Sequence, residues 1–386
     1  MSNQTGKSIL FLTIVFEGHI PAAIEVINDL ISLGHNVTCY SLDTFENRFK
    51  KTGAKLKPIS IGKIELPKGV PPIAMNGLIL ERFYDLVLTD LQNSKEKYDY
   101  FFFDSFFDGT QINKIFNIPV LVGVYAFPVG EMNPFMKKHA KDRAAIFHNL
   151  NKKYDLNIKD FISMHYSGDA KYKLMLTSKL FHIESKLIDD SYFFIGPPLE
   201  ERPSDESFAF KKDESKKLIY LSLGTVFNKK VNIYKIFIEA FGNSKEYQGI
   251  ISIGKHNNVK DLGEIPENIK VYNYVPQLQV LKQCDIFITH GGINSINEAI
   301  YLNHLPLIVI PQELDQLANA KQIEKLEAGI ALDKDNLSSE ILKSSVSKIT
   351  ENVDKYKVGV EKIVKSFNEA REGKLKIYET IFGQNN

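Results

Sequence analysis

The chain has 386 residues, too many for one ordinary core and suited to two domains of average size. Its formal net charge is +1 from 48 basic and 47 acidic residues, so nothing global points to nucleic acid. The two cysteines, Cys39 and Cys284, sit in apolar strand-like contexts without metal-ligand spacing, which suits a reducing cytoplasm.

The first apolar run, Ile9–Phe16, is too short for a signal core, lacks a small-residue cleavage site and passes into Glu17, Gly18 and His19. It reads as a first β-strand. Nowhere does an apolar run approach the roughly 18–20 residues a membrane span needs, so a soluble cytoplasmic protein without stable membrane insertion is expected. A helix over Ala22–Leu33, closed by Gly34, and a strand over Asn36–Tyr40 complete a β-α-β unit and imply a parallel sheet. Further strands are expected at Tyr100–Phe103 and Val120–Val124. From about 125 to 185 the pattern turns helical and carries Phe127, Met132, Phe135, Met136, Phe147 and Met164. The stretch 196–216 is rich in proline and charge and reads as a linker.

After the linker the pattern restarts. A strand over Lys217–Leu223, a turn at Gly224 and Thr225, a helix over Ile233–Phe241 and a strand over Gly249–Ile253 are expected. Two such openings predict an α/β fold of two doubly wound domains facing one cleft, with ligands beyond the carboxyl ends of the strands. The boundaries fall at 1–200 for the first domain, 201–216 for the linker and 217–365 for the second. The segment 366–386 belongs to an amphipathic tail, helical from about Val353 to Phe382, that packs back on the first domain.

Residues 275–320 carry the densest chemistry. Asp285–Thr289 is β-branched and aromatic, reads as a buried strand, and runs into His290, Gly291 and Gly292 and then into helix-forming sequence. A strand, a glycine turn and a helix N-terminus make an anion site, because unpaired amides and the positive end of the dipole converge there. Ser295 and Glu298 also fit an ordinary capping box, in which each would only satisfy the other's backbone. The histidine and glycines just upstream favour the alternative, a phosphate held by Gly292, Asn294 and Ser295 with Glu298 on a ribose diol. Asp315 and Gln316 follow Pro311 on the same expected edge, and an adjacent carboxylate and carboxamide can hold vicinal hydroxyls.

In the first half, His19 and Asp104 each end at a strand edge, and a histidine held by a carboxylate is a general-base pair. The plainer reading makes His19 a helix cap and Asp104 a strand terminator. Asp333 and Asp335 imitate a metal motif but read as an N-cap region, and His35, His139, His148, His165 and His182 show no partner spacing and read mostly as surface residues. Lys137, Lys138, Lys141 and Arg143, beside Phe135 and Phe147, read as a solvated helix face rather than a membrane contact. No P-loop, dinucleotide fingerprint or C-x-x-C is present.

Together these residues resemble the UDP-glycosyltransferase superfamily with the GT-B fold, especially its bacterial macrolide- and flavonoid-type members. The segment from Val275 to Ala320 is similar to the family's signature V-P-Q … H-G-G-x-N-S-x-x-E-A … P … D-Q-x-x-N-A. The resemblance implies that Gln277 and the Val275 backbone face the nucleobase, that His290, Gly292, Asn294 and Ser295 bind the diphosphate, and that Glu298 binds the ribose. It puts Asp315 and Gln316 on the donor sugar and Ser222 and Thr225 near the donor phosphates. His19 aligns with the family's base and Asp104 with its partner, although Pro21 stands one residue earlier than in the family's G-H-x-x-P.

The implied activity is inverting, metal-independent transfer of a sugar, glucose by preference, from a UDP-sugar to a hydroxyl of a small hydrophobic acceptor. Macrolides, flavonoids and other phenolics are the acceptors favoured, with the aromatics of 125–185 and part of 60–90 either lining their pocket or packing the core. No cofactor or metal is expected, no nucleic-acid partner, and a monomer or weak homodimer. Three alternatives stand beside this reading: a lipid or carotenoid acceptor, a UDP-sugar-binding protein without transfer, and a sugar-nucleotide epimerase.

Overall fold

The computed structural model describes residues 6–13, 16–64, 75–105, 107–126, 147–158, 170–183, 186, 188–199, 207–225, 228–312 and 315–383. The chain forms two compact units. One comprises Met1–Thr177, Glu184–Glu200 and Gly373–Asn386, the other Ser178–Ile183 and Glu201–Glu372.

In the first unit, β1 (Ser8–Leu12), β2 (Asn36–Leu42), β3 (Lys55–Ile59), β4 (Tyr100–Asp104), β5 (Val120–Tyr125), β6 (Tyr172–Met175) and β7 (Tyr192–Phe194) form a parallel sheet in the order β3-β2-β1-β4-β5-β6-β7. Strand β4 is buried along its whole length, as a parallel strand covered on both faces must be. Its side chains alternate: Phe101 and Phe103 join Leu10 and Leu12 in one apolar cluster, while Phe102 joins Ile9 and Phe11 in the other. The helix Ile20–Ser32 covers the second face through Val26, Ile27 and Leu30. Pro21 stands in its first turn, where a missing N–H costs nothing, so the early proline lets the helix start directly after His19.

The chain's end completes that face. Tyr378 and Ile381 enter the same cluster, Lys374 Nζ lies 2.8 Å from Glu25 Oε1 and 2.7 Å from Asp29 Oδ1, and the Tyr378 hydroxyl donates to Asp29 Oδ2 at 3.0 Å. Burial raises the Asp29 carboxyl above its ordinary value, with Lys374 pulling the other way.

In the second unit, β8 (Lys217–Ser222), β9 (Tyr247–Ser252), β10 (Ile269–Tyr272), β11 (Ile286–Thr289), β12 (Leu307–Val309) and β13 (Gly329–Ala331) are again parallel, in the order β10-β9-β8-β11-β12-β13. The helices Val231–Phe241 and Ser339–Glu351 pack Phe237, Leu342 and Val346 against Ile219, Leu221 and Ile288.

Several sequence expectations change. Within the described part of 125–185 the helical reading holds at the short helix His148–Tyr154 and gives way to a strand at β6. Phe147 is fully buried in the first unit's core, so packing and not an acceptor accounts for it. Phe127, Met132, Phe135, Met136, Met164, the basic residues Lys137, Lys138, Lys141 and Arg143, and His139 and His165 lie outside the described residues. His182, read as a surface residue, is 5% exposed.

The second half of the linker is anchored: Lys212 Nζ is 2.8 Å from Asp285 Oδ2, and Gln248 Nε2 donates to the Asp213 carbonyl at 2.6 Å. Asp333 does not cap the following helix, because Ser338 does, its hydroxyl accepting from the Ile341 N–H at 3.2 Å. Among the described residues, no helix is long and apolar enough to cross a membrane.

Candidate active site

Strand β1 pairs β4 with Leu12 opposite Phe103, so the next residues of both strands emerge side by side at the carboxyl edge of the first sheet. Asp104 ends β4, and the chain after β1 returns through a short 3-10 turn, Glu17–His19, that carries His19 to it. His19 Nδ1 lies 2.7 Å from Asp104 Oδ2, and both residues are 2% exposed. The cap expectation fails for the side chain: His19 is the N-cap of the helix Ile20–Ser32, but its imidazole makes no capping bond and turns to the carboxylate.

The second unit gathers its residues at the carboxyl edges of β8, β11 and β12. Thr289 ends β11, and the chain turns through Gly291, whose φ of +86° would strain any side-chain-bearing residue. Gly292, extended at φ −65° and ψ 140°, is the N-cap of the helix Ile293–Ile296. Ser295 is therefore the third helical residue and not a cap, which removes the capping-box reading. Its hydroxyl instead accepts from Gln277 Nε2 at 3.3 Å, and the same amide donates to Glu298 Oε2 at 2.8 Å. The first intrahelical bond runs from the Ile296 N–H to the Gly292 carbonyl, so the amides ahead of it point out of the helix end. Beyond Ile296 the helix widens into a π turn, Asn297–Tyr301, which carries Glu298.

Tyr220 completes this cluster, and nothing local in the sequence signals it. Its hydroxyl donates to Gln277 Oε1 at 3.2 Å, and its ring stacks on Phe287 with centroids 4.9 Å apart. Val275 is buried, whereas Tyr274 just before it is 65% exposed.

His290 sits in a slot between two glycines. A Cβ on Gly224 would fall 2.6 Å from its Nε2 and one on Gly292 2.5 Å from the same atom. Gly224, at φ +74°, also needs the left-handed conformation that glycine supplies. The ring hydrogen-bonds to the Ser222 backbone, and its Nδ1 lies 3.4 Å from the Thr289 hydroxyl. Desolvation in the slot lowers the imidazole from its ordinary 6.5 to about 4, so it is neutral at pH 7. Ser222 is buried, its hydroxyl accepting from the Gly224 N–H at 3.4 Å, and Thr225 is exposed on the turn.

Asp315 starts the helix Asp315–Lys325 and is half-buried, while Gln316 is buried with its Oε1 accepting from the Gln312 N–H at 2.9 Å. Gln316 thus has part of its amide committed to the loop. The helix is tied to the glycine turn by Asn319, 1% exposed, whose Nδ2 donates to the Gly291 carbonyl at 2.9 Å. Asn294 is half-buried in the first turn of its helix. Within the second unit the structure therefore joins Gln277, Ser295 and Glu298 in one hydrogen-bonded group, and in another place links His290, Ser222 and Gly224 by hydrogen bonds with Gly292 close against the ring. Among the described residues, no three His, Cys, Asp or Glu side chains come together as a metal site.

Residues 245–368 match the family model described as the C-terminal domain of erythromycin biosynthesis protein CIII-like proteins. Over nearly its full length the chain is similar to an uncharacterized UDP-glucosyltransferase, YdhE, of Bacillus subtilis, 28% identical with 95% of each chain covered. It is 29% identical to the NDP-glycosyltransferase YjiC of the same organism, covering 89% of this chain and 88% of that one. Among solved structures, the glycotransferase of kitacinnamycin superposes with a TM-score of 0.78 at 21% identity, covering 97% of this chain and 99% of that one. The shared architecture is the GT-B fold.

Proposed function

We propose that this chain, a UDP-dependent glycosyltransferase of the bacterial macrolide type with the GT-B fold, transfers glucose with inversion to a hydroxyl of a small hydrophobic acceptor. The observation that carries the mechanism is the buried contact between His19 Nδ1 and Asp104 Oδ2. A carboxylate at Nδ1 accepts that nitrogen's N–H and fixes the tautomer in which Nε2 carries the lone pair. Nε2 takes the acceptor's hydroxyl proton as its oxygen bonds to the anomeric carbon. The bond from that carbon to the donor phosphate breaks, and the electron pair leaves with UDP. Asp104 steadies the imidazolium that results.

The donor is assigned to the second unit. The base and ribose go to Val275, Gln277 and Glu298, the diphosphate to Gly292, Asn294, Ser295, His290, Ser222 and Thr225, and the sugar hydroxyls to Asp315 and Gln316. Charge growing on the leaving phosphate meets the amides at the start of the Ile293–Ile296 helix and is assigned to them rather than to a divalent ion. A neutral His290 has one N–H, which goes to the Ser222 backbone, and the ring would serve there as the wedge that shapes the turn. The UDP-glucosyltransferase relative supports glucose, and the erythromycin-type family model supports a macrolide-like acceptor.

The test combines an acceptor screen with UDP-glucose, read by the mass gain of a hexose, with His19→Ala. The variant is expected to bind UDP as the native protein does and to lose turnover by about a hundredfold or more. Native turnover rates in that variant would sink the base assignment. Conversion of UDP-glucose with no acceptor present would point to an epimerase instead.

A further inference from the structure

Three asparagines from three successive strand ends form a chain of side-chain amides across the donor edge of the second unit. Asn228 lies in the loop after β8, Asn257 after β9 and Asn273 directly after β10, and these strands are neighbours in the sheet. Asn228, 2% exposed, donates through Nδ2 to the Gly224 carbonyl at 2.7 Å. Asn257 Nδ2 donates to the Asn228 carbonyl at 3.0 Å and to the Ile253 carbonyl at 2.6 Å. Asn273 Nδ2 donates to the Asn257 carbonyl at 2.7 Å and to the Gly254 carbonyl at 3.0 Å.

Two further contacts lock the chain. The Tyr234 hydroxyl donates to the Asn228 carbonyl at 2.9 Å, and Gly254 is pressed so close that a Cβ there would fall 2.1 Å from Asn228 Nδ2. At one end the chain grips the Gly224–Thr225 turn. At the other it runs straight into Tyr274, Val275, Pro276 and Gln277.

We propose that Asn228, Asn257 and Asn273 are positioning residues that set the spacing between the diphosphate turn at Gly224 and the nucleobase strap at Val275–Gln277. The inference rests on the donor assignment above and adds what holds its two halves in register. Strand ends leave carbonyls that must find donors, and any polar side chain would satisfy them. Here each asparagine also anchors to the next one's loop, so moving one loop moves its neighbour. A ligand whose base and diphosphate occupy two linked subsites gains affinity only while their separation matches the ligand. Loosening the chain should therefore penalise the whole nucleotide more than either fragment.

The experiment measures binding of UDP, uridine and inorganic pyrophosphate, each by competition against labelled UDP, in the native protein, Asn257→Ala and Asn273→Ala. Asn273 is exposed, so its variant keeps the fold and decides the matter if Asn257→Ala melts early. With the bridging hydrogen bonds of one asparagine removed, UDP affinity is expected to fall about tenfold while uridine and pyrophosphate bind as before. Unchanged UDP affinity overturns the proposal, and so does a loss on one fragment equal to the loss on UDP, since either result makes the asparagines local supports. A native protein that fails to bind UDP at all overturns instead the donor assignment beneath it.

Discussion

His290→Gln tests the slot between Gly224 and Gly292. Glutamine keeps an amide donor for the Ser222 backbone but cannot titrate. The residue as a whole is half-buried, and the backbones of Gly224 and Gly292 close against the ring at Nε2 and Cε1. Desolvation lowers the imidazole from 6.5 to about 4, with the hydrogen bond to Ser222 opposing. The folded value lies below the unfolded one, so the unfolded chain binds the proton more readily. The stability held by a neutral His290 is full above about pH 6.5 and drains as pH falls toward 4. At 1.36 kcal/mol per unit, the drop amounts to about 3 kcal/mol.

Urea unfolding of both proteins from pH 7.5 to 4.5 reads the effect as a difference. His35 and His182, also lowered by burial, and Asp29, raised by it, titrate alike in the two proteins and cancel. The native protein should lose about 2–3 kcal/mol more than the variant across that window. Parallel curves would mean that the ring is not desolvated, and the assignment of a neutral His290 in the slot would fall with it.

Asp104→Asn should lower kcat by about a hundredfold or more while leaving UDP binding intact, because an amide can present an N–H to His19 Nδ1 and so turn the ring to the wrong tautomer; steady-state kinetics beside direct UDP binding checks it. Gly292→Ala adds no backbone strain at φ −65° but puts a methyl 2.5 Å from His290 Nε2. It should cost about 1–3 kcal/mol in denaturant unfolding and weaken UDP binding. Phe382→Ala removes a ring that lies 4.1 Å from His35, 4.7 Å from Tyr100 and 6.4 Å from Tyr378 between centroids. A loss of about 2 kcal/mol is expected in unfolding of the full chain, with UDP binding unaffected.

The second unit's turn at His290–Gly292 was open to sequence reading because its parts are contiguous: strand β11, two glycines and a helix follow one another within a dozen or so residues. What misled there was also local. The spacing from Ser295 to Glu298 is the same whether serine caps a helix or stands in its third position, and only the extended Gly292 decides between the two. Tyr220 escaped because a tyrosine inside an apolar strand looks like any core residue until the helix Gln277–Leu281 brings Gln277 to it. Strand β6 escaped because it is four residues long and flanked by Lys171, with Lys173 inside it, too short to show a period. The attachment of Ser178–Ile183 to the second unit rests on contacts far along the chain: Ser178 Oγ to Ser366 Oγ at 2.7 Å, and Gln322 Nε2 to the Leu180 carbonyl at 2.7 Å.

The His19–Asp104 pair is the instructive case, since 85 positions separate its members and no local pattern joins them. What made it legible is topology. In a parallel sheet the chain that follows every strand emerges at the same edge, so two strands that pair deliver their next residues to one place. β1 and β4 pair, with β2 on the far side of β1, and their register carries Asp104 one step past the Leu12–Phe103 pairing. Recognising both strands was thus enough to bring the two side chains near each other. The short Glu17–His19 turn, with Pro21 in the first turn of the next helix, supplied the remaining geometry by starting that helix early enough to leave the imidazole facing the carboxylate and not the helix end. The proline that departs from the family pattern therefore belongs to the device that aims the imidazole at Asp104.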